Sequence, residues 1–199
     1  MNEVRLEIEG DGRASTREVV LLDDHDTPVG VMGKHAAHVR GLYHAAISVV
    51  LVDRMGRQLL QQRAFTKYHC PGMWSNACCS HQMAGESSQA AAQRRLFDEL
   101  RLRTPLTQLA RVRYRARVGR LVEHECVDLF VGLVDEAPRF NPKEVADVAW
   151  LSPGARHAHD PLTPWSALYV KLFGFDVPRR RALRLDDGAV RDAGPLFHL

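Results

Sequence analysis

The sequence predicts a mixed α/β protein in which a curved mixed sheet is flanked by helices, and three observations support this prediction. Strand-like apolar runs outnumber helical ones, a single helical pattern follows a long loop in the middle of the chain, and there is no internal repeat. A doubly wound parallel sheet would need strands and helices that alternate regularly, which this order does not show. The 199 residues are enough for one domain with a full hydrophobic core.

The first half of the chain contains two strands that we expect to pair. A short strand-like run, Val19–Leu22, follows polar and aperiodic residues, so we expect 1–17 to be a flexible N-terminal extension and 18–185 to be the single domain. The run 45–52 is almost continuously apolar and rich in β-branched residues, as in a strand buried on both faces. A turn then leads into a second strand at 58–63, which predicts a hairpin through the core.

The second half begins with the central helix. Residues 71–85 have the composition of a loop, after which Ser87 or Ser88 can cap a helix over 89–100 that contains three consecutive alanines. Further strands are predicted at 109–118, 125–134 and 145–151, a second helix at 165–173, and a weakly ordered tail at 186–199.

Composition narrows the functional classes. The chain has no apolar run long enough to span a bilayer and no secretory signal pattern, so we expect a cytoplasmic protein with no membrane association. A net charge of +3 suits a phosphorylated small molecule and is too small for a nucleic-acid-binding surface, and the basic cluster at 179–184 is interpreted as solvated. Four unevenly spaced cysteines indicate reduced thiols rather than a disulfide scaffold.

Two glutamates stand where a strand would place buried side chains. Because side chains two positions apart share a strand face, Glu123 and Glu125 continue the apolar row of Val127 and Leu129. Buried carboxylates need a cation, a proton or strong hydrogen-bond donors to compensate them. If the strand end instead emerges into solvent, both are ordinary surface acids, and this segment alone leaves the two alternatives open.

Histidines strengthen the first alternative. His38, His44 and His81 are far apart in sequence, but each is next to a predicted strand end or loop. Three imidazoles with two carboxylates suit an octahedral site for manganese, magnesium or zinc. The spacing is weak evidence, because the chain has ten histidines and a single one is more often a surface or core residue.

One thiol and four basic residues are candidates for chemistry and substrate binding. Cys79 lies just before the central helix, where nearby histidine and metal charge would favour proton exchange, although a lone cysteine is more often a buried inert thiol. Lys34, Arg63, Lys67 and Arg95 could form a pocket for an anionic substrate, or could be solvated surface groups.

Taken in order, the motifs of the chain resemble one known family. After His38 and His44 come PGMWSN (71–76), CCSH (78–81), GES (85–87), RRLFDEL (94–100), YRA (114–116) and EHE (123–125). This combination, over about residues 18–173, resembles type 1 isopentenyl-diphosphate isomerase. The resemblance implies a Nudix fold and a metal-dependent interconversion of isopentenyl and dimethylallyl diphosphate in isoprenoid biosynthesis, by protonation and deprotonation through a carbocation-like intermediate.

The resemblance also implies a role for individual residues. The expected ligands of a manganese or zinc ion are His38, His44, His81, Glu123 and Glu125, while Glu99 would help to hold a magnesium ion bound to the diphosphate. The expected reacting groups are Cys79 and Glu125 as the acid–base pair, with Tyr114 hydrogen-bonded to the glutamate and the indole of Trp165 facing the cation. The expected contacts of the diphosphate are Lys34, Arg63, Lys67 and Arg95. We expect a monomer or weak homodimer with no nucleic-acid partner.

Two other functions remain open. The protein could be a Nudix pyrophosphohydrolase of a small diphosphate, but Ser80 stands at the glycine and Arg95 at a glutamate of the hydrolase pattern Gly-x5-Glu-x7-Arg-Glu-Leu. Gln82 replaces the proline that commonly follows the histidine in the isomerases, a change that affects loop rigidity and none of the proposed ligands. The second alternative is a metal-binding regulatory module without turnover.

Overall fold

The fold is given by a computed structural model, which describes residues 18–152, 155, 161–174, 176–186 and 197–198. The expected N-terminal extension, 1–17, and most of the expected tail lie outside these residues, and the domain limits 18–185 stay a prediction. In the described part of the chain, a 10-stranded mixed sheet carries four helices. This arrangement confirms the predicted fold class.

The strands are β1 (Glu18–Leu22), β2 (Pro28–Gly33), β3 (His44–Val52), β4 (Gln58–Arg63), β5 (Trp74–Asn76), β6 (Cys78–Ser80), β7 (Leu106–Val118), β8 (Leu121–Leu133), β9 (Val145–Leu151) and β10 (Phe197–His198). The helices are α1 (Lys34–Arg40), α2 (Ser88–Leu100), α3 (Pro164–Phe173) and α4 (Asp176–Asp186). The main strand order is β10-β7-β8-β3-β1-β2, while β6 pairs with β3 and β4 links β3 to β5 and β9.

Strand β3 is the centre of the fold and is buried along its whole length, as its apolar sequence predicts. It runs parallel to β8, with His44 opposite Glu125, and antiparallel to β6, with Ser48 opposite Cys79. The predicted hairpin with β4 is wrong for most of its length, because the two strands pair only next to their turn and β4 then joins β5 and β9. This divergence leaves the edge of β3 to β6.

Helices cover both faces of the sheet. Helix α2 starts at the predicted cap, where the Ser87 hydroxyl accepts a hydrogen bond from the amide of Ala90 at 3.2 Å, and it packs on the face of β3 that carries Ile47. Helix α3 packs on the opposite face, where Trp165 lies against the row that includes Val127. The carboxylates at the start of β8 belong to this second face.

Short elements were not predicted. Residues 71–85, expected to be a loop, contain β5 and β6, and neither β2 nor the seven-residue α1 was expected. Helix α4 was also missed, and Arg181 within it is 7% exposed, so the expectation of a solvated basic cluster is wrong for this residue. Two residues of the expected tail form β10, which pairs in parallel with β7.

The remaining expectations concern cysteines and membranes. All four cysteines are unpaired thiols, as predicted. No helix among the described residues is long and apolar enough to cross a membrane.

Candidate metal centre and active site

Glu123 and Glu125 lie on the buried face of β8, near its start. Their residues are 2% and 7% exposed, and the row continues through Val127 into the cluster packed against α3. The alternative that both are surface acids is therefore excluded. Two buried carboxylates this close must be compensated by positive charge or by hydrogen-bond donors.

The three predicted histidines surround these carboxylates. His38 comes from α1, His44 begins β3, and His81 directly follows β6. The ring centroids of His38 and His44 are 4.8 Å apart, and those of His44 and His81 are 5.1 Å apart. Together with Glu125, the three rings offer ligand atoms that all lie within 4.8 Å of one another. Four of the five sequence-predicted ligands thus form one group, and Glu123 adjoins this group through His38.

Main-chain carbonyls determine which ring nitrogen carries the proton. Nδ1 of His38 and Nδ1 of His44 lie 2.6 and 2.8 Å from carbonyl oxygens. Because a carbonyl oxygen only accepts, both rings carry a hydrogen on Nδ1. Their Nε2 atoms therefore present lone pairs to the carboxylates, at 3.0 Å from Oε2 of Glu123 for His38 and 3.4 Å from Oε1 of Glu125 for His44. Opposed lone pairs require a cation between them, either a second proton on each ring or a metal ion.

The distances between neighbouring donor atoms are those of metal ligands. Adjacent ligands of an octahedral ion with bonds of about 2.1 Å lie about 3.0 Å apart. Three nitrogen–oxygen pairs measure 3.0 Å: His38–Glu123, His69–Glu123 and His81–Glu125. Within the described chain, the buried Nε2 of His44 and Oε1 of Glu123 make no hydrogen bond of acceptable geometry, although Oε1 lies 3.0 Å from Nε2 of His69, as expected of atoms placed for a metal. The cluster could therefore hold a divalent metal ion.

His69 belongs to this cluster and was missed in the sequence. It lies in the loop between β4 and β5, is 7% exposed, and forms a second potential ligand group with His38 and Glu123. One of ten histidines at irregular spacing gives no sequence signal. Its place just before the segment that starts at Pro71 is the one feature that could have drawn attention to it.

Electrostatics keep the carboxylates charged and His81 neutral, whereas for His38 burial lowers the pKa but the hydrogen bond to Glu123 raises it above its ordinary value. Burial raises the pKa of both carboxyls, but interactions with the neighbouring imidazoles lower it by more, so that the pKa of Glu123 falls to about 2 and that of Glu125 well below its usual value. Burial, with Lys34 nearby, lowers the pKa of His81 to about 3. At neutral pH the carboxylates are charged and His81 has a free nitrogen lone pair.

A cavity of about 330 Å³ beside the cluster is lined by Cys79, Glu125 and Trp165. Burial raises the pKa of the Cys79 thiol to about 11, so the thiol is neutral. The Tyr114 hydroxyl donates to Oε2 of Glu125 at 2.6 Å, while Oε1 of the same carboxylate lies 3.0 Å from Nε2 of His81. One oxygen of Glu125 thus faces the histidines and the other is held by the tyrosine.

The four predicted basic residues and Glu99 line an adjoining cavity of about 630 Å³. Glu99 lies apart from the histidines: its Oε1 is 2.8 Å from Nη2 of Arg95, and its Oε2 accepts a hydrogen bond from Gln61. Glu144, a residue that the sequence did not single out, lies 3.4 Å from the same Nη2 and also pairs with Lys67. The structure therefore shows a carboxylate partner for two of the four cations.

The other two cations lie closer to the first cavity. The Arg63 guanidinium carbon is 5.3 Å from the centre of the Trp165 ring. Burial, together with the charges of Lys67 and Arg63, lowers the pKa of Lys34 to about 8. Concentrated positive charge of this kind is favourable when a diphosphate group neutralises it.

Comparisons with known proteins agree with this geometry. Residues 42–173 match the NUDIX domain family. The chain is 46% identical over 136 residues to an isopentenyl-diphosphate Delta-isomerase of Pectobacterium atrosepticum, an alignment that covers 68% of this chain and 76% of that one. It is 43% identical over 161 residues to the Streptomyces griseus isopentenyl-diphosphate Delta-isomerase, with 77% and 82% covered. The chain belongs to the isopentenyl-diphosphate Delta-isomerase family.

Solved structures establish the fold of this isomerase-family chain. A Deinococcus radiodurans structure aligns with a TM-score of 0.58 at 18% identity, covering 68% of this chain and 83% of that one. A MutT NUDIX hydrolase of Burkholderia pseudomallei aligns with a TM-score of 0.55 at 20% identity, covering 65% and 96%. The predicted Nudix fold and the predicted isomerase family are therefore both confirmed.

Proposed function

We propose that the protein interconverts isopentenyl diphosphate and dimethylallyl diphosphate, a step of isoprenoid biosynthesis. The observation that carries the proposal is the position of Cys79 and Glu125 on the walls of one cavity, next to the cluster of histidines and carboxylates. Membership of the isomerase family supports the substrate class. The adjoining basic cavity provides the charges that a diphosphate requires.

In this proposal Cys79 supplies the proton. The neutral thiol gives its hydrogen to the terminal CH₂ carbon of isopentenyl diphosphate, the π electrons form the new C–H bond, and a tertiary cation and a thiolate result. Glu125 then takes a proton from carbon two, and the electrons of that C–H bond form the new double bond. The reverse reaction uses the same two groups in the opposite order.

Trp165 and Tyr114 assist these steps. The indole of Trp165 is the strongest cation–π partner among the side chains, and its residue is 4% exposed, so it stabilises the cation in a place from which water is excluded. Tyr114 orients Glu125 by donating to Oε2, which leaves Oε1 for the histidine side. The diphosphate does not react, and its binding energy positions the alkene.

We assign the divalent metal to His38, His44, His81, Glu123 and Glu125, with His69 within reach of the same group. Manganese or zinc suits this set of imidazoles and carboxylates, and a magnesium ion would accompany the diphosphate near Glu99. When bound, the ion supplies Lewis-acid polarisation of the carboxylate that it contacts. The chain's own contribution is to hold two overlapping groups of donors at ligand spacing, one with His44, His81 and Glu125 and one with His69 and Glu123, which share His38.

A specific observation disfavours hydrolysis. On the central helix, Arg95 occupies a position at which Nudix hydrolases carry a glutamate, and it is bound to Glu99 at 2.8 Å. The helix therefore offers fewer carboxylates for the ions that drive pyrophosphate cleavage.

We also infer a cytoplasmic monomer or weak homodimer. Size-exclusion chromatography with light scattering will test the oligomeric state in solution.

The decisive experiment follows isopentenyl diphosphate with the purified protein, magnesium and manganese in deuterated water by NMR. We expect deuterated dimethylallyl diphosphate from the wild type and none from Cys79→Ala or Glu125→Gln. Cys126→Ala is the matched control, because this thiol is buried and lies on the opposite face of β8 from Glu125. Release of phosphate or pyrophosphate would indicate a hydrolase, and no turnover by the metal-loaded wild type would indicate a binding module.

A further inference from the structure

Three hydrogen-bonding side chains that the mechanism above does not use surround the sulfur of Cys79. Its Sγ is 3.1 Å from Oγ of Ser48, 3.5 Å from Oγ of Ser75 and 3.1 Å from Oδ1 of Asn76. These three residues are 1%, 0% and 2% exposed. Fully buried polar side chains around a reacting atom call for an explanation in terms of that atom.

Main-chain carbonyls fix the orientation of the Asn76 amide. Its Nδ2 lies 2.8 Å from the carbonyl oxygen of Val49 and 3.3 Å from that of Cys78. Because both oxygens only accept, the NH₂ group must face them, and a flipped amide would set oxygen against oxygen at 2.8 Å. The Oδ1 atom therefore faces the other way, and it can act only as an acceptor.

The two ends of the amide determine the hydrogen positions around the sulfur. The thiol hydrogen of Cys79 points at Oδ1, which also accepts the hydroxyl hydrogen of Ser166 at 2.8 Å. At the other end, Nδ2 donates to Oγ of Ser48 at 2.8 Å, which leaves the hydroxyl hydrogen of Ser48 for Sγ of Cys79 or for the hydroxyl of Tyr169. Asn76 thus accepts the S–H bond through Oδ1 and holds the neighbouring hydroxyl of Ser48 through Nδ2.

Ser75 connects the sulfur to the indole. The N–H of Trp165 donates to Oγ of Ser75 at 3.0 Å, and an indole nitrogen is a donor only. The hydrogen of Ser75 must then go to Oγ of Ser166 at 3.1 Å or to Sγ of Cys79 at 3.5 Å. The proton donor and the ring that faces the cation are therefore held by one connected set of hydrogen bonds.

We propose that Asn76 is a positioning residue for proton transfer, which fixes the place of the Cys79 sulfur, holds its S–H bond before the substrate binds and orients the hydroxyl of Ser48. This role rests on the proposed function of Cys79 as the acid. The S–H bond must rotate away from Oδ1 to reach the substrate, and Oδ1 then keeps its hydrogen bond to Ser166. The rotation leaves no buried acceptor unpaired, so it avoids the cost of an unsatisfied group.

Infrared spectroscopy tests the hydrogen bond without reference to activity. The S–H stretching band of Cys79, isolated by subtracting the spectrum of Cys79→Ala, should lie at the lowered frequency of a hydrogen-bonded thiol. It should stay there in Ser166→Ala, the matched control that removes the other donor to Oδ1, and should shift upward in Asn76→Ala. A wild-type band at the frequency of a free thiol overturns the proposal even if Asn76→Ala does not fold.

Kinetics test the consequence. In Asn76→Ala we expect kcat to fall on the order of 10- to 100-fold, because a sulfur that has lost its hydrogen-bond partner is no longer held in a fixed place relative to the substrate carbon. The KM for isopentenyl diphosphate and the amount of manganese bound per chain should change by less than about twofold, since Asn76 bonds to none of the four diphosphate cations and to none of the metal ligands. Ser48→Ala, which removes the hydroxyl that Asn76 orients, should likewise lower kcat and leave KM almost unchanged.

The outcomes separate the two proposals. If the wild type gives no isomerised product, the proposed function fails, whatever the thiol band shows. If the wild type is active but a folded Asn76→Ala keeps the wild-type kcat, or loses kcat only together with bound manganese, the positioning role of Asn76 is wrong and the proposed function stands.

Discussion

Replacing Tyr114 by phenylalanine should lower kcat through the orientation of Glu125 and leave substrate binding unchanged. The hydroxyl donates to Oε2 of this carboxylate at 2.6 Å, and a hydrogen bond to a charged group contributes about 1.5–3 kcal/mol. If the bond acts in the transition state alone, its loss lowers kcat about 10- to 150-fold. We expect KM for isopentenyl diphosphate to be unchanged, because Tyr114 does not line the basic cavity.

The same variant makes a pH prediction. Burial, with the charge of Glu125 nearby, raises the pKa of Tyr114 well above its ordinary value, so the hydroxyl keeps its proton in alkaline solution. The ratio of wild-type kcat to that of Tyr114→Phe should therefore stay constant between about pH 7 and pH 9, below the ordinary tyrosine pKa. Steady-state kinetics with coupled detection of dimethylallyl diphosphate will measure it.

Tyr43→Phe is the matched control. Tyr43 also donates to a carboxylate, Asp26, at 2.6 Å, but it lies outside both cavities. Each variant should lose a few degrees of melting temperature, while Tyr43→Phe should keep kcat within about twofold of the wild type. An equal loss of kcat in the two variants, or a rise in KM for Tyr114→Phe alone, would refute the orienting role.

Three further predictions concern packing, charge and acid stability. Gly132→Ala should lower the free energy of unfolding in urea by about 1–3 kcal/mol, because the added Cβ would lie 2.8 Å from Cδ2 of Leu106, and an unchanged value would contradict the packing at this position. Glu144→Gln should lower KM for the diphosphate about two- to fivefold by releasing the two cations that Glu144 pairs with, and an increase in KM would show that this carboxylate assists binding. Hydrogen bonds from Arg94 lower the pKa of Glu86 from 4.5. Their stabilising effect is therefore present above pH 4.5 and is lost as the pH falls through the folded-state pKa. The difference in melting temperature between wild type and Glu86→Gln should be clear at neutral pH and should disappear in acid.

The fold could be predicted where the chain carries a strong periodic pattern. The buried β3 and the alanine-rich, serine-capped α2 follow directly from apolar runs and a capping residue. The failures are short or polar elements. Strands β5 and β6 have three residues each, too few to show alternation, and α1 presents two histidines and no capping side chain. The positions of β5 and β6 are set by their pairing with β4 and β3, and this pairing cannot be read from the few residues of each strand.

The residues of the site were also predicted only where the sequence carries a clear pattern. Glu123 and Glu125 stand out because they interrupt an apolar row of a predicted strand, and the order of motifs then indicated the histidines. His69 and Glu144 carry no such signal, and Asn76 lies in the motif 71–76 without a role assigned to it, since each comes from a loop or a very short strand whose path depends on the assembled sheet. Their contacts with Glu123, with Arg95 and with Cys79 exist only in three dimensions.

The register between β3 and β8 limits how this chain can change in length. Because His44 lies opposite Glu125 and side chains alternate between faces, inserting or deleting one residue between Glu125 and Val127 would turn both carboxylates away from the histidines. The turn between β7 and β8, with Gly119 at φ 61°, is free of this constraint. Related chains that keep the reaction should therefore vary in length at that turn, and gaps in their alignment should be absent from the start of β8.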